Sequence, residues 1–260
     1  MLSIKDVINF LEAKFPPDLA YEWDNVGLQI GDVTREIKQI MVVLDATTAV
    51  IDEAIQKNVE LIITHHPFIF SPVKAIDLST SHGKNIQKLI KNNITVYTMH
   101  TNYDIAFGGM NDTLAEAMEL QDVQPFAMVD DVHGLGRMGV LKKQHEFLAW
   151  ADGLKEKLHL TAISYVQSQP SVEKVAVIGG KGEKYLYEAK AMGADVLVTG
   201  DVTYHAALDA KEMGLNLLDI GHFSEVIMEE QVAVLLAEQF AHDIKILQPT
   251  LSQNPIAFRC

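Results

Sequence analysis

The sequence predicts an α/β fold, two similar βαβ-containing halves forming a layered α/β structure. Three observations carry this. Short apolar runs of strand length alternate with helical patterns along most of the chain, which argues for βαβ units and largely parallel sheet. The first two strands of each half are spaced alike, Val43 to Thr64 matching Val177 to Thr199 within one residue. The histidines and acids best suited to chemistry fall just past the ends of these runs, where open α/β sheets place their sites. The spacing fits a degenerate duplication and convergent α/β wiring equally well.

A helix over 3–15 opens the chain: Ser3 is placed to cap it, Ile4, Val7, Ile8, Leu11 and Phe15 share a face, and Pro16-Pro17 stops it. Residues 21–31 are punctuated by glycine and show no period. Strand 39–44, helix 50–57, strand 61–63, a long loop, helix 84–92, strand 94–99 and helix 112–120 follow. The second half repeats this order with strand 175–178, helix 185–192, strand 195–199, helix 205–213, strand 215–219 and a long helix over 226–240. Between them, 134–140, a helical stretch over 144–158 and 161–166 read as a connecting region with antiparallel pairing. The expected division is 1–125 for the first half, with His65, His66 and Asp104, then 126–171 as the connecting segment and 172–260 for the second half, with His222 and Glu225. No linker is rich enough in Pro, Gly or Ser to mark two independently moving domains.

The chain has 260 residues, 48% of them hydrophobic, enough to bury a sizeable core. Its 21 basic residues face 35 acidic ones, a formal charge of −14, and no basic cluster is interleaved with aromatics. Such a surface repels polyphosphate backbones, so no direct nucleic-acid binding is expected, although bound divalent cations can still hold a phosphate locally. No apolar run approaches the ~18 residues of a membrane span. The opening Met-Leu-Ser-Ile-Lys-Asp does not read as a secretory leader, and the only cysteine, Cys260, excludes an intramolecular disulfide and a Cys-based zinc site. The expectation is a cytoplasmic protein without a membrane role.

The clearest chemical signal is Leu61-Ile62-Ile63-Thr64-His65-His66-Pro67, an apolar strand that stops in two adjacent histidines and a proline. Imidazoles add little to a core, Pro67 fixes the backbone where they must be aimed, and neutral imidazole is the commonest metal ligand near neutral pH. Consecutive side chains at a strand end diverge, so His65 and His66 suit two neighbouring ions better than one. A second apolar run, 94–99, ends in His100-Thr101-Asn102-Tyr103-Asp104. A third, 215–220, ends in Gly221-His222-Phe223-Ser224-Glu225, where a three-residue offset points His222 and Glu225 the same way on a first helical turn. His65, His66, Asp104, His222 and Glu225 together form a nitrogen and carboxylate set that suits Zn, Mn, Fe or Ni, with a carboxylate able to bridge two ions.

Each of these residues also has a purely structural reading: backbone hydrogen bonds for His65 and His66, a turn cap for Asp104, a capping arrangement for His222 and Glu225. His100 is a candidate for orienting a ligand or carrying a proton. Asp201 and His205 follow the strand equivalent to the one carrying His65, and are candidates for lining the same cavity as proton shuttles, ligand-orienting groups or structural residues. His82, His133, His145, His159 and His242 read as solvated. Gly179-Gly180-Lys181-Gly182 lacks the full phosphate-loop pattern and reads as a tight strand-to-helix turn.

Six segments, in order across nearly the whole chain, carry a family resemblance: Trp23-Asp24-Asn25-Val26-Gly27-Leu28, Thr64-His65-His66-Pro67, His100-Thr101-Asn102-Tyr103-Asp104, Gly134-Leu135-Gly136-Arg137-Met138-Gly139, Gly200-Asp201 with His205, and Gly221-His222-Phe223-Ser224-Glu225. The sequence resembles the GTP cyclohydrolase 1 type 2 homologues, also called Nif-three-like proteins. That resemblance implies two divalent metal ions per subunit on His65, His66, Asp104, His222 and Glu225, and a cytoplasmic, ring-shaped homohexamer with its sites facing an inner cavity. Some relatives place three residues between the last His and the Glu; here there are two, and both offsets lie on one helical face. The chain is also too short for the extra domain inserted in longer relatives. The leading expectation is a dinuclear-metal hydrolase in which paired ions lower the pKa of a bridging water toward ~7, supply hydroxide and clamp the developing oxyanion. His100 or His205 is then the proton carrier, and the family label makes the substrate a purine nucleotide opened at its imidazole ring. Phosphoester or amide hydrolysis uses the same apparatus. The rival of another class is a non-enzymatic metal-binding or regulatory oligomer.

Overall fold

The structure, a computed structural model, describes residues 2–240, 242–250 and 253–259; Cys260 lies outside the described residues. Helix α1 (Ile4–Lys14) buries Ile4, Val7, Ile8 and Leu11 along the stripe expected from the sequence. Ser3 caps it in a reciprocal box with Asp6: the Ser3 hydroxyl oxygen accepts from the Asp6 N–H, and the Asp6 carboxylate accepts from the Ser3 N–H. A 3-10 turn, Pro17–Leu19, follows. Then come β1 (Gly27–Ile30), β2 (Gln39–Val43), α2 (Thr48–Gln56), β3 (Leu61–Thr64), α3 (Ser81–Lys91), β4 (Thr95–Thr98) and α4 (Thr101–Ile105).

The next stretch builds a second sheet. It contains α5 (Met110–Ala117), β5 (Gln121–Met128), β6 (Gly134–Glu146), α6 (Phe147–Lys157), β7 (Ser164–Val166), β8 (Ser171–Val177), α7 (Leu186–Ala191), β9 (Val196–Thr199), α8 (Tyr204–Glu212) and β10 (Asn216–Asp219). A 3-10 helix, His222–Val226, leads into α9 (Ile227–Phe240), and β11 (Lys245–Leu247) follows. The chain divides into two compact units, one running to Ala106 and resuming with Met228–Gln253, the other holding Phe107–Ile227 and the residues from Asn254.

In the first unit the sheet order is β1-β4-β3-β2-β11. Strands β4, β3, β2 and β11 are parallel, and β1 joins antiparallel to β4. Met41, Val43, Ile62 and Val96 pack with Val50, Ile51 and Ala54 of α2 and Leu89 of α3 in one core cluster. Their neighbours Ile40, Val42, Leu61 and Ile63 are equally buried, so the sheet is covered on both faces. This is why its strands read as continuous apolar runs rather than alternating ones.

In the second unit the order is β5-β6-β8-β9-β10-β7. Strands β8, β9 and β10 are parallel, repeating the β-α-β-α-β wiring of β2, β3 and β4, while β5, β6 and β7 pair antiparallel. The mixed α/β architecture is therefore as the sequence predicts. Within the stretch 126–171, the antiparallel pairing expected from the sequence puts β6 second in the sheet order and β7 at the far edge, with α6 between them in the chain. Strand β6 also continues to Glu146, so the helix expected from 144 starts at Phe147, where the Glu146 carboxylate accepts the Ala149 N–H as an N-cap. Arg137 of β6, 1% exposed, is held by both oxygens of Asp112 and by the carbonyls of Gly134 and Gly136, which compensates the burial of its charge.

Candidate functional site

In the first unit, the C-terminal ends of β2, β3 and β4 gather the site residues. Past β3 the backbone keeps pairing, with the N–H groups of His65 and His66 donating to the Leu44 carbonyl beyond β2. This carries both imidazoles to the C-terminal end of the sheet's central strand. The rings of His65, His66 and His100 lie with centroids 5.1–5.7 Å apart, and each offers a nitrogen within 4.8 Å of the others. Asp104, on the buried turn of α4, sets a carboxylate oxygen 3.6 Å from His65 Nε2.

Each of the three rings is gripped through Nδ1. His65 Nδ1 is 3.0 Å from the Met99 carbonyl, His66 Nδ1 is 2.9 Å from Asp45 Oδ1, and His100 Nδ1 is 2.9 Å from Asp24 Oδ1. A carbonyl or carboxylate oxygen only accepts, so Nδ1 carries the proton and the neutral ring presents its lone pair at Nε2. Asp24 also accepts from the Thr101 N–H and the Thr101 hydroxyl. Burial pushes its pKa up, but the hydrogen bonds from His100 and Thr101 outweigh that and hold it at about 2.

The second unit holds a smaller cluster past β9 and β10. His222 opens the 3-10 turn after Gly221, with Nδ1 2.8 Å from Asp201 Oδ2 and Nε2 3.2 Å from Glu225 Oε2. The i, i+3 pair thus faces one way, as its spacing predicts. Glu225 is 3% exposed and lies against the turn after β8. A Cβ at Gly180 would stand 2.7 Å from Glu225 Oε1, and Gly180 has φ +56, so a side chain here would strain the backbone and push the carboxylate aside.

The structure therefore groups His65, His66, His100 and Asp104 in one unit, and Asp201, His222 and Glu225 in the other. His205 is exposed on α8, with its ring against Tyr204, and belongs to no potential metal-holding group among the described residues. Sequence reasoning missed Asp24 and Asp45 as site residues. Asp45 is legible in retrospect as an acid just past a parallel strand, beside the one that ends in His65-His66. Asp24 lies in a segment without periodicity, and only the tertiary fold brings it to His100.

A profile of the family Duf34/NIF3 (NGG1p interacting factor 3) matches residues 2–255. A GTP cyclohydrolase 1 type 2 homolog from Clostridium perfringens is 38% identical, covering 99% of this chain and 100% of its own, and one from Clostridium acetobutylicum is 36% identical, covering 98% and 97%. Among solved structures, a hypothetical protein of Staphylococcus aureus superposes with a TM-score of 0.92 at 33% identity, covering 99% of both chains.

Proposed function

The chain belongs to the Duf34/NIF3 family, and from that premise we propose that it is a dinuclear divalent-metal hydrolase whose ligands are His65, His66, Asp104, His222 and Glu225. One observation carries the reading: strand-end histidines are each held through Nδ1 by an acceptor-only oxygen, while Nε2 of His65 and of His222 faces a carboxylate of the same proposed ligand set, Asp104 and Glu225 respectively. Rings fixed in this way are the usual state of metal-ligating histidines, whose outer partners set tautomer and orientation. The donor set fits the group: imidazole nitrogens and carboxylates, with no thiolate, match Zn, Mn, Fe or Ni.

When bound, divalent ions supply Lewis-acid polarisation and a water of lowered pKa. The chain's own residues do the rest. Asp45 and Asp201 aim His66 and His222. His100 takes up or releases a proton at Nε2, while Asp24, held at about 2, stays ionised and steadies the ring in either state. The substrate class we propose is a purine nucleotide opened hydrolytically at its imidazole ring, following the name that the relatives carry. Metal-loaded protein screened against nucleotides, phosphoesters and peptides tests this. Metal-dependent turnover of a purine nucleotide, abolished in His66→Ala, supports it. Turnover of phosphoesters or peptides alone replaces the substrate class, and two bound ions without any turnover favour the non-enzymatic metal-binding reading.

A further inference from the structure

Beside His100 the first unit displays a group of aromatic rings that the metal chemistry does not use. Tyr21 and Trp23 are stacked, with centroids 5.6 Å apart and planes 16° from parallel. Trp23 meets the Phe70 ring at 6.1 Å and the His100 ring edge-on at 6.2 Å. Trp23 is 59% exposed and Phe70 56%. Contiguous large apolar side chains left in water mark a surface that something else covers.

The exposure is built in. Residues 21–24 form a turn closed by the Asp24 N–H on the Tyr21 carbonyl. Thr101 pins both ends of it: its hydroxyl oxygen accepts from the Tyr21 N–H and donates to Asp24, and its own N–H donates to the same carboxylate. Trp23 therefore stands on a turn whose neighbour Asp24 is locked to His100. On the facing segment, the Ile69 N–H donates to Gln29 Oε1 and the Ile69 carbonyl accepts from Asn25 Nδ2, which fixes the backbone next to Phe70. Such anchoring prepays the ordering cost of binding.

We infer that Trp23, with Tyr21 behind it and Phe70 at its side, is a stacking platform for the planar heteroaromatic ring of the substrate, holding that ring beside His100. This rests on the hydrolase reading above and assigns the residues that recognise the ring. Ring geometry separates this from a cation cage, in which aromatic faces surround a charge. Here Tyr21 lies parallel to Trp23, and Trp23 keeps 59% of its surface exposed, an arrangement that suits stacking of a further flat ring.

The test is calorimetric titration of the metal-loaded full chain with guanosine monophosphate, ribose 5-phosphate and tetramethylammonium. Ribose 5-phosphate shares the sugar and phosphate and lacks the ring. The nucleotide should bind tighter by about 5- to 150-fold, the range that stacking of one base provides. Trp23→Ala should erase that preference and Trp23→Phe keep most of it, both with unchanged metal content by elemental analysis. Phe70→Ala, which leaves the pinned turn intact, should weaken the preference in part. Equal binding of the two phosphates, or a nucleotide preference that survives Trp23→Ala, overturns the platform. Tetramethylammonium binding that depends on Trp23, without a ring preference, overturns it in favour of a cation site. A ring preference in protein that takes fewer than two ions supports the platform and refutes the dinuclear reading, and one in protein that turns nothing over supports the platform and refutes the hydrolase reading; two bound ions without ring preference overturn the platform and leave the metal reading standing.

Discussion

Asp24, Asp45 and Asp201 do the same work at three places: each holds a histidine through Nδ1 and thereby chooses which nitrogen faces outward. At Asp24 the hydrogen bonds from His100 and Thr101 outweigh burial and favour the ionised carboxylate. Its carboxyl is depressed from 3.8 to about 2, so its contribution to stability is full above pH ~4 and is lost as pH falls through ~2. Asp24→Asn should lower the stability of the first unit at pH 7 by about 2 kcal/mol, and the difference should shrink steadily below pH 4. Denaturation curves of both proteins across that range check this, and a difference independent of pH would contradict the assignment. In the second unit, Gly180→Ala forces a Cβ toward Glu225 Oε1 and strains a positive φ. It should weaken metal binding at least tenfold and destabilise by roughly 1–3 kcal/mol, from strain and clash together. Metal titration checks the first, and unchanged affinity would place Glu225 outside the ligand set. At this scale the five ligand candidates are read from strand ends and Asp45 shares that signal, whereas Asp24 lies in a segment without periodicity and meets His100 only through the tertiary fold.

At the scale of elements, the buried parallel strands were the readable ones. β2, β3, β4, β9 and β10 are short apolar runs bounded by polar residues, and they lie where the pattern places them. Strand β1 was hidden because Gly27 opens it, its pairing with β4 is irregular, and Leu28 and Ile30 are too few to show a period. β5 begins with four exposed residues and carries Pro125, an arrangement that an edge strand tolerates but that erases the alternation. β11 has three residues and owes its place to the register it keeps with β2. The anchoring of β2 yields a prediction of its own. Buried Glu229 of α9 accepts from the Leu44 N–H just beyond β2 and from Gln253 Nε2, both at 2.8 Å. Burial raises its pKa, against the pull of these hydrogen bonds. A raised carboxyl contributes stability that is complete below the unfolded value of ~4.3 and is lost as pH rises through the folded one. Glu229→Gln keeps the acceptor without the charge, so its melting temperature should exceed the parent's at pH 8 and match it at pH 4. A lower melting temperature for the variant at pH 8 would contradict this.

For the whole molecule, a chain of 260 residues with well-filled sheets should keep its fold without metal. Chelation should lower the melting temperature by only the ligand-binding contribution, leaving circular dichroism at 25 °C unchanged; loss of secondary structure on chelation would contradict that. No helix among the described residues is long and apolar enough to cross a membrane. The homohexamer implied by the family resemblance should sediment at six times the 28.8 kDa of one chain. The central claim is that the chain holds two ions, and elemental analysis of metal-saturated, desalted protein tests it most directly. The expected content approaches two divalent ions per chain, falling toward one in Glu225→Gln as the neutralising carboxylate is removed. A ceiling of one ion in the parent protein, or two ions held as tightly by Glu225→Gln, would contradict the account.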